Sequence, residues 1–157
     1  MSSAGAPTTG GIDASGLNVV IVAGTWHETI TNGLIAGAQR VLEETGANHR
    51  LVRVPGSFEL AVAAQAAFTG GADAVVALGV IIRGGTPHFE YVSAATTDGL
   101  TRVALDAGKP VGFGVLTLDD EQQGLERAGL EDSKEDKGAE AADAALRTAQ
   151  VIRSLRG

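Results

Sequence analysis

The stretch "IIRGGTPHFEYV", residues 81–92, holds the clearest candidates for chemistry. Gly84, Gly85 and Thr86 follow an apolar run, and such a turn before a helix can present backbone amides to a phosphate. His88 comes two residues later, and an imidazole exchanges protons near neutral pH, so it could act as an acid or base beside a phosphate ester. From these residues alone, a plain tight turn and a histidine that packs at a helix start stay open.

Two further candidates follow other predicted strands. Trp26 is the only tryptophan, and it falls in the loop after the first strand, where a flat ring could stack on a heterocycle. His27 beside it is typical of a residue at the entry to a helix. Glu59 follows "VPGS" after the second strand, and it is either a capping-box partner of its own helix or a carboxylate that binds ligand hydroxyls.

Two cations near the C-terminus have simple structural explanations. Arg127 lies two residues before Gly129 at the end of a short predicted helix, where the helix dipole favours a cation. Lys137 belongs to "EDSKEDKGAE", which is typical of a solvated run of charges. Spacing alone therefore assigns a function to neither residue.

The elements that position these residues alternate between strand and helix. Strands are predicted at residues 17–24, 49–56, 72–83 and 109–118, and helices at 28–44, 57–68, 89–108, 119–129 and 137–155. Continuous apolar strands of this kind are typical of a parallel sheet covered on both faces. The pattern predicts a doubly wound, flavodoxin-like three-layer α/β sandwich with four parallel strands in the order 2-1-3-4. Ligands bind such sheets beyond the strands' carboxyl ends, where the order reverses, and the loops after strands one and three flank that point.

Composition narrows the class of protein. The 157 residues predict one domain, residues 17–157, after a Gly-rich arm, residues 1–16. A net charge of −7 with scattered Lys and Arg argues against nucleic-acid and membrane partners. There is no cysteine, and the three histidines lie far apart, so the sequence predicts no disulfide and no metal site. The lack of a signal peptide or a transmembrane run predicts a cytoplasmic protein.

The motifs "IVAGTWHE", "VPGSFELAV", "ALGVIIRGGTPHFEYV", "GVLTLDDEQQGLERAG" and "EDKGAEAADAAL" occur together and in this order. From residue 17 to the C-terminus the chain resembles the lumazine synthase family, and most closely its actinobacterial branch. The resemblance implies a transferase of riboflavin biosynthesis that uses no metal or organic cofactor. It would condense 5-amino-6-ribitylaminouracil with 3,4-dihydroxy-2-butanone 4-phosphate to 6,7-dimethyl-8-ribityllumazine, with release of phosphate and water.

The resemblance also implies roles for individual residues. Trp26 would stack on the pyrimidine, Ser57 and Glu59 would hold ribityl hydroxyls, and His88 would transfer protons. The implied catalytic set is His88, Arg127 and Lys137. The implied substrate-binding set is Trp26, His27, Ser57, Glu59, Val80, Ile81, Ile82, Gly85, Thr86, Phe113 and Arg127, where Arg127 is the counter-charge to the phosphate. Many members carry a side chain where Gly85 stands, so the turn is more flexible here.

Members of the family form pentamers, and in some members the pentamers assemble into icosahedral shells. The members that form shells usually have a tighter connection before the last helix than the "LEDSKED" of this chain. The resemblance therefore implies a homopentamer whose sites take Phe113, Arg127 and Lys137 from a neighbouring subunit, so that a monomer is inactive. It also implies an arm that pairs with a neighbour's sheet edge and a functional association with riboflavin synthase.

Two hypotheses from other classes compete with the enzyme. A carrier of flavin or lumazine would also use the tryptophan and the glycine turn, but it has no need of His88, Arg127 and Lys137 together. A purely structural shell protein has no reason to keep Glu59 or His88 at strand ends.

Overall fold

Four parallel strands form the centre of the fold. The computed structural model describes residues 4–9 and 11–157. The strands are β1 (Asn18–Ala23), β2 (Asn48–Arg53), β3 (Ala74–Ile82) and β4 (Val111–Leu118), in the order β2-β1-β3-β4. The helices are α1 (Glu28–Glu44), α2 (Leu60–Thr69), α3 (His88–Ala107), α4 (Glu121–Leu125) and α5 (Lys137–Arg156). All three strand pairs are parallel, so the predicted fold class and strand order are confirmed.

The sheet separates two apolar clusters, which explains the uninterrupted apolar strands. Along β3, Val76 and Leu78 belong to the cluster with α1 and α5, while Val75 and Ala77 belong to the cluster with α2 and α3. Successive side chains of a strand point to opposite faces, so both parities must be apolar when helices cover both faces. Each fully buried aliphatic side chain contributes roughly 1.5–3 kcal/mol through removal from water. The predicted three-layer arrangement is thereby confirmed.

Short polar residues and glycine mark the helix ends. The carboxylate of Asp136 accepts a hydrogen bond from the Ala139 amide at 3.2 Å and caps α5. Asp120 caps α4 in the same way, with the Gln123 amide at 2.9 Å. A cap of this type stabilises a helix by about 1 kcal/mol. Helix α3 ends at Gly108, whose φ of 63° favours a residue without a Cβ.

Two predicted helices differ from the structure at their ends. The helix predicted from residue 57 begins as a 3₁₀ turn (Ser57–Glu59), closed by a bond from the Glu59 amide to the Gly56 carbonyl, before α2 starts at Leu60. The helix predicted over 119–129 is only α4, because the chain folds back on itself there. The carbonyl of Glu126 accepts from the Lys134 and Glu135 amides, and that of Arg127 accepts from Lys137.

The described part of the predicted arm is attached to the domain near residue 14. Ala14 is 1% exposed, and its amide donates to the carbonyl of Thr45 at 2.7 Å. The Gln150 side chain of α5 donates to the carbonyl of Asp13 at 2.7 Å. Residues 1–3 and 10 of the arm lie outside the described residues. The arm boundary at residue 16 and the pairing with a neighbour stay predictions.

Candidate functional site

A cleft of about 810 Å³ opens at the carboxyl ends of β1, β2 and β3. It lies where the strand order reverses between β1 and β3, the usual ligand position in a doubly wound sheet. Nine of the predicted site residues line it, namely Trp26, His27, Ser57, Glu59, Val80, Ile81, Ile82, Thr86 and His88. The structure therefore brings together most of the set named from the sequence.

The loop after β1 presents a large aromatic surface to the cleft. Trp26 is 66% exposed, and the hydroxyl of Thr31 in α1 donates to its backbone carbonyl at 2.8 Å. His27 is the N-cap of α1 with a φ of 55°, and its side chain makes no capping hydrogen bond. A left-handed backbone conformation costs free energy at a residue with a Cβ, and residues strained in this way cluster at functional sites. The expected position of His27 at the helix entry is confirmed.

The turn after β2 brings Ser57 and Glu59 to the cleft. Ser57 is buried, and the hydroxyl of Thr96 in α3 donates to its carbonyl at 3.3 Å. Its own hydroxyl lies against Gly79 of β3 so closely that a Cβ on Gly79 would overlap it. Glu59 is the N-cap of α2, but its side chain accepts no capping hydrogen bond. The capping-box alternative for Glu59 is therefore wrong, and the carboxylate is available for a ligand.

The glycine turn after β3 leads directly into α3. The amide of His88, the first residue of α3, lies 3.4 Å from the hydroxyl of Thr86. A Cβ added to Gly84 or Gly85 would meet nothing within 4 Å, so the backbone of the turn is open to an approaching ligand. Gly84 lines the cleft, whereas Gly85 is not among the lining residues. The helix dipole behind the turn favours an anion there.

Arg83 links this turn to two elements. Its Nη1 donates to Glu90 at 2.5 Å, and its Nε donates to Asp119 at 3.1 Å. Its guanidinium carbon lies 4.4 Å from the ring centroid of Phe89. The hydrogen bond from Arg83 lowers the pKa of Glu90, and the bonds to Glu90 and Asp119 raise the pKa of Arg83.

Besides Gly85, three predicted site residues do not line the cleft of their own chain. Phe113 lies on the edge strand β4, is 46% exposed and lines a separate groove beside α3. Arg127 donates to the Gln123 carbonyl at 2.8 Å, which agrees with a cation placed at a helix C-terminus. Lys137 lies 3.3 Å from each of Glu135 and Glu140, and its side chain is only 13% exposed. The expectation that Lys137 belongs to a solvated charge run is wrong, because flanking carboxylates enclose it.

Several lining residues escaped the sequence analysis. Phe58, Phe89 and Tyr91 line the cleft, and Phe58 and Tyr91 are 65% and 75% exposed. Each stands one to three residues from a candidate site residue, and aromatic residues make up only 4% of the chain. An aromatic residue so close to a candidate could therefore have been predicted to line the site. Within residues 4–9 and 11–157, no Lys or Arg lines the cleft. An anionic ligand there would need a cation from elsewhere.

Two features are absent from residues 4–9 and 11–157. Over those residues there is no group of three or more His, Cys, Asp or Glu side chains that could hold a metal ion. Over the same residues, no helix has the length and apolar character needed to cross a membrane.

Comparison with known proteins identifies the family of the chain. The family model described as 6,7-dimethyl-8-ribityllumazine synthase matches residues 16–153, most of the chain. The chain belongs to the 6,7-dimethyl-8-ribityllumazine synthase family. Curated relatives that carry this name include one from Leifsonia xyli subsp. xyli, 74% identical with 100% of both chains covered. Others are from Clavibacter sepedonicus, 65% identical over 100% and 99%, and Nocardioides sp., 61% identical over 99% and 97%.

Membership of the lumazine synthase family confirms the resemblance inferred from the motifs. The matched range spans every strand and helix from β1 to most of α5. The roles of individual cleft residues are a separate question, because a family name assigns no atom to a task.

Proposed function

We propose that this chain condenses 5-amino-6-ribitylaminouracil with 3,4-dihydroxy-2-butanone 4-phosphate, giving 6,7-dimethyl-8-ribityllumazine, phosphate and water. The observation that carries the proposal is one cleft, at the switch point of the sheet, that holds an exposed tryptophan, a carboxylate and a histidine beside a glycine turn. Relatives at 61–74% identity carry the name of the enzyme for this product.

The pyrimidine is proposed to bind between the tryptophan and the end of β3. Trp26 is mostly exposed at the cleft, so its ring face is free to stack on a flat heterocycle. The end of β3 lines the cleft through Val80, Ile81 and Ile82. Backbone N–H and C=O groups there can form hydrogen bonds with the edge of the pyrimidine ring. His27 completes this part of the site. The resemblance implies that no metal or organic cofactor takes part.

The ribityl chain is proposed to lie over the turn after β2. Glu59 accepts no capping hydrogen bond, so its carboxylate can accept hydrogen bonds from two or more hydroxyls. Ser57 is anchored by its carbonyl to Thr96, which holds the start of the turn. Charged acceptors bind hydroxyls more strongly than neutral ones, so Glu59 should contribute more than Ser57.

The phosphate is proposed to bind at the glycine turn, with His88 as the group that moves protons. The open backbone of Gly84 and Gly85, the hydroxyl of Thr86 and the start of α3 all favour an anion. Imine formation, loss of phosphate and ring closure each transfer protons, and one placed imidazole accelerates such steps by about 10²- to 10⁴-fold. Holding two substrates together contributes more, roughly 7–11 kcal/mol in favourable cases.

The working unit is proposed to be a homopentamer with sites between subunits. A phosphate in the cleft requires cations, and the described lining of one chain supplies no Lys or Arg. Arg127, Lys137 and Phe113 lie outside that lining, which supports the proposal that they serve the cleft of an adjacent chain. A cytoplasmic location, predicted from the sequence pattern, and a functional association with riboflavin synthase, predicted from the resemblance, remain predictions.

The proposal is tested by mixing the purified protein with both substrates and following the absorbance and fluorescence of the lumazine product. The expected result is product formation far above the uncatalysed background. A folded protein whose product formation does not exceed this background would refute the proposed enzymatic activity and favour the carrier hypothesis. Titration of the same sample with flavin would then test for binding.

A further inference from the structure

Arg83 connects three elements at one corner of the cleft. Its amide donates to the Leu118 carbonyl at 2.8 Å, which extends the pairing of β3 with β4 by one residue. Its side chain then contacts Glu90 in the first turn of α3 and Asp119 just after β4. We call this guanidinium and its three partners, Glu90, Asp119 and the Phe89 ring, the Arg83 bridge.

The bridge closes the loop that carries the glycine turn. Arg83 and Glu90 lie on either side of residues 84–89, and their side chains meet at 2.5 Å. The turn itself is loosely packed, since a Cβ at either glycine would meet nothing within 4 Å. Glycines enlarge the conformational range of a loop, so a contact across its two ends removes much of that freedom.

The ring contact extends this restraint into the cleft. Phe89 lines the cleft next to His88, and the guanidinium of Arg83 lies over its ring. Arginine suits this arrangement because its planar guanidinium can donate to two carboxylates while it stacks on an aromatic face. The ammonium group of lysine is a point charge and lacks this planar geometry. The hydrogen bond between Arg83 and Glu90 lowers the pKa of Glu90 and raises the pKa of Arg83, which favours the charged form of each group.

We propose that the Arg83 bridge is a positioning device for the reaction, which fixes the glycine turn and the start of α3 so that Thr86 and His88 face the bound phosphate ester. Arg83 itself does not line the cleft, so it acts through these residues. Its side chain is 47% exposed, and Glu90 and Asp119 are 56% and 67% exposed. Exposed ion pairs contribute little to global stability, so the bridge acts on local geometry.

This inference rests on the proposed function, and it is tested by steady-state kinetics with each substrate varied in turn. Arg83→Ala should lower kcat/KM for the butanone phosphate by about 10- to 100-fold, the scale of a small misplacement. The KM for the ribitylaminouracil should stay within about twofold, because Trp26 and Glu59 stand on other loops. Arg83→Lys should recover only part of the loss.

Arg102→Ala is the matched control. Arg102 lies on α3, as Glu90 does, is 84% exposed and pairs with Asp106 at 3.4 Å. The variant therefore also removes one arginine charge, but at a position outside the cleft lining. It should leave all constants within about twofold of wild type. Equal kinetics for Arg83→Ala and Arg102→Ala would overturn the inference.

Amide hydrogen exchange separates the bridge from the enzymatic assignment. In Arg83→Ala, peptides that cover residues 84–90 should exchange faster than in Arg102→Ala, with other peptides unchanged. Unchanged exchange there would overturn the positioning role even if activity fell. An inactive wild type would refute the proposed function, whereas the exchange result would still decide whether the bridge orders the turn. Glu90→Gln gives a second route to the same loss if Arg83→Ala folds poorly.

Discussion

The indole of Trp26 lies on the backbone of Gly56, so that a Cβ added to this glycine would stand 3.1 Å from both Cδ1 and Nε1. The same Cβ would lie 3.5 Å from a carboxylate oxygen of Glu59. The loops after β1 and β2 therefore meet at one small residue. Two further bonds join them, from the Thr25 hydroxyl to the Pro55 carbonyl at 2.6 Å and from Arg53 to the Gly24 carbonyl at 2.8 Å.

Gly56→Ala should displace the indole without unfolding the chain. The φ of Gly56 is −157°, which any residue adopts, and Trp26 is exposed enough to move. Loss of stacking should weaken binding of the ribitylaminouracil by roughly 0.5–1.5 kcal/mol, or about two- to tenfold in Kd. Because Trp26 is the only tryptophan, the Kd can be measured by titrating its fluorescence with the ribitylaminouracil. Gly70→Ala, at the end of α2, is the control, and equal affinity in both variants would contradict the stacking role.

Gly79→Ala should destabilise the fold at the floor of the cleft. Gly79 lies in β3, and its new methyl group would overlap the Ser57 hydroxyl. The same group would stand 3.1 Å from a methyl group of Leu60, the first residue of α2. Overpacking of this kind costs about 1–3 kcal/mol. Urea unfolding should show the loss, and Ser57→Ala in the same chain should recover part of it. A double variant no more stable than Gly79→Ala would place the strain elsewhere.

Lys137→Met should cost more stability than its neighbour Lys134→Met. Lys137 is 13% exposed and contacts Glu135, whose side chain is 12% exposed, so its loss leaves a carboxylate partly buried without this partner. Breaking such a pair costs up to about 3–5 kcal/mol. Lys134 is 78% exposed at 3.8 Å from Glu126, and its loss should cost less than about 1 kcal/mol. Equal unfolding midpoints would show that the enclosed ion pair contributes nothing.

Sites shared between subunits should be recoverable by mixing two inactive variants. His88→Ala lacks the proton-transfer group on one side, and Arg127→Ala lacks the counter-charge that a neighbour would supply. Random co-assembly in a ring with head-to-tail contacts gives about a quarter of the sites with both residues intact. The activity of the refolded mixture should therefore approach a quarter of wild type. Activity equal to the mean of the two parents would contradict shared sites.

The central strands β1 and β3 could be predicted because helices cover both faces of the sheet there, whereas the edge strand β2 is mostly exposed. Uninterrupted runs such as "AVVALGVII" in β3 leave few alternatives to a buried parallel strand, and the structure follows them. Trp26 and His88 could be named as candidates for a related reason. Each follows a strand at the carboxyl edge, and this position depends only on topology.

Contacts between distant segments could not be predicted in the same way. The fit of Trp26 on Gly56 depends on how two loops meet, and a pattern of residue types carries no such distance. Lys137 looked solvated because its neighbours are charged, yet the loop over 126–136 folds back and encloses it with Glu135. The roles of Phe113, Arg127 and Lys137 in a neighbour's cleft depend on a second chain and stay predictions.

The central claim is that the cleft joins the two substrates with His88 as the proton-transfer group, and the turnover number of His88→Ala tests it most directly. Lumazine formation should be measured with both substrates saturating, beside wild type and His49→Ala, which removes a histidine of β2 outside the cleft. We predict a loss of about 10²- to 10⁴-fold in kcat for His88→Ala, with His49→Ala close to wild type. A correctly folded His88→Ala protein that turns over at the wild-type rate would contradict the account.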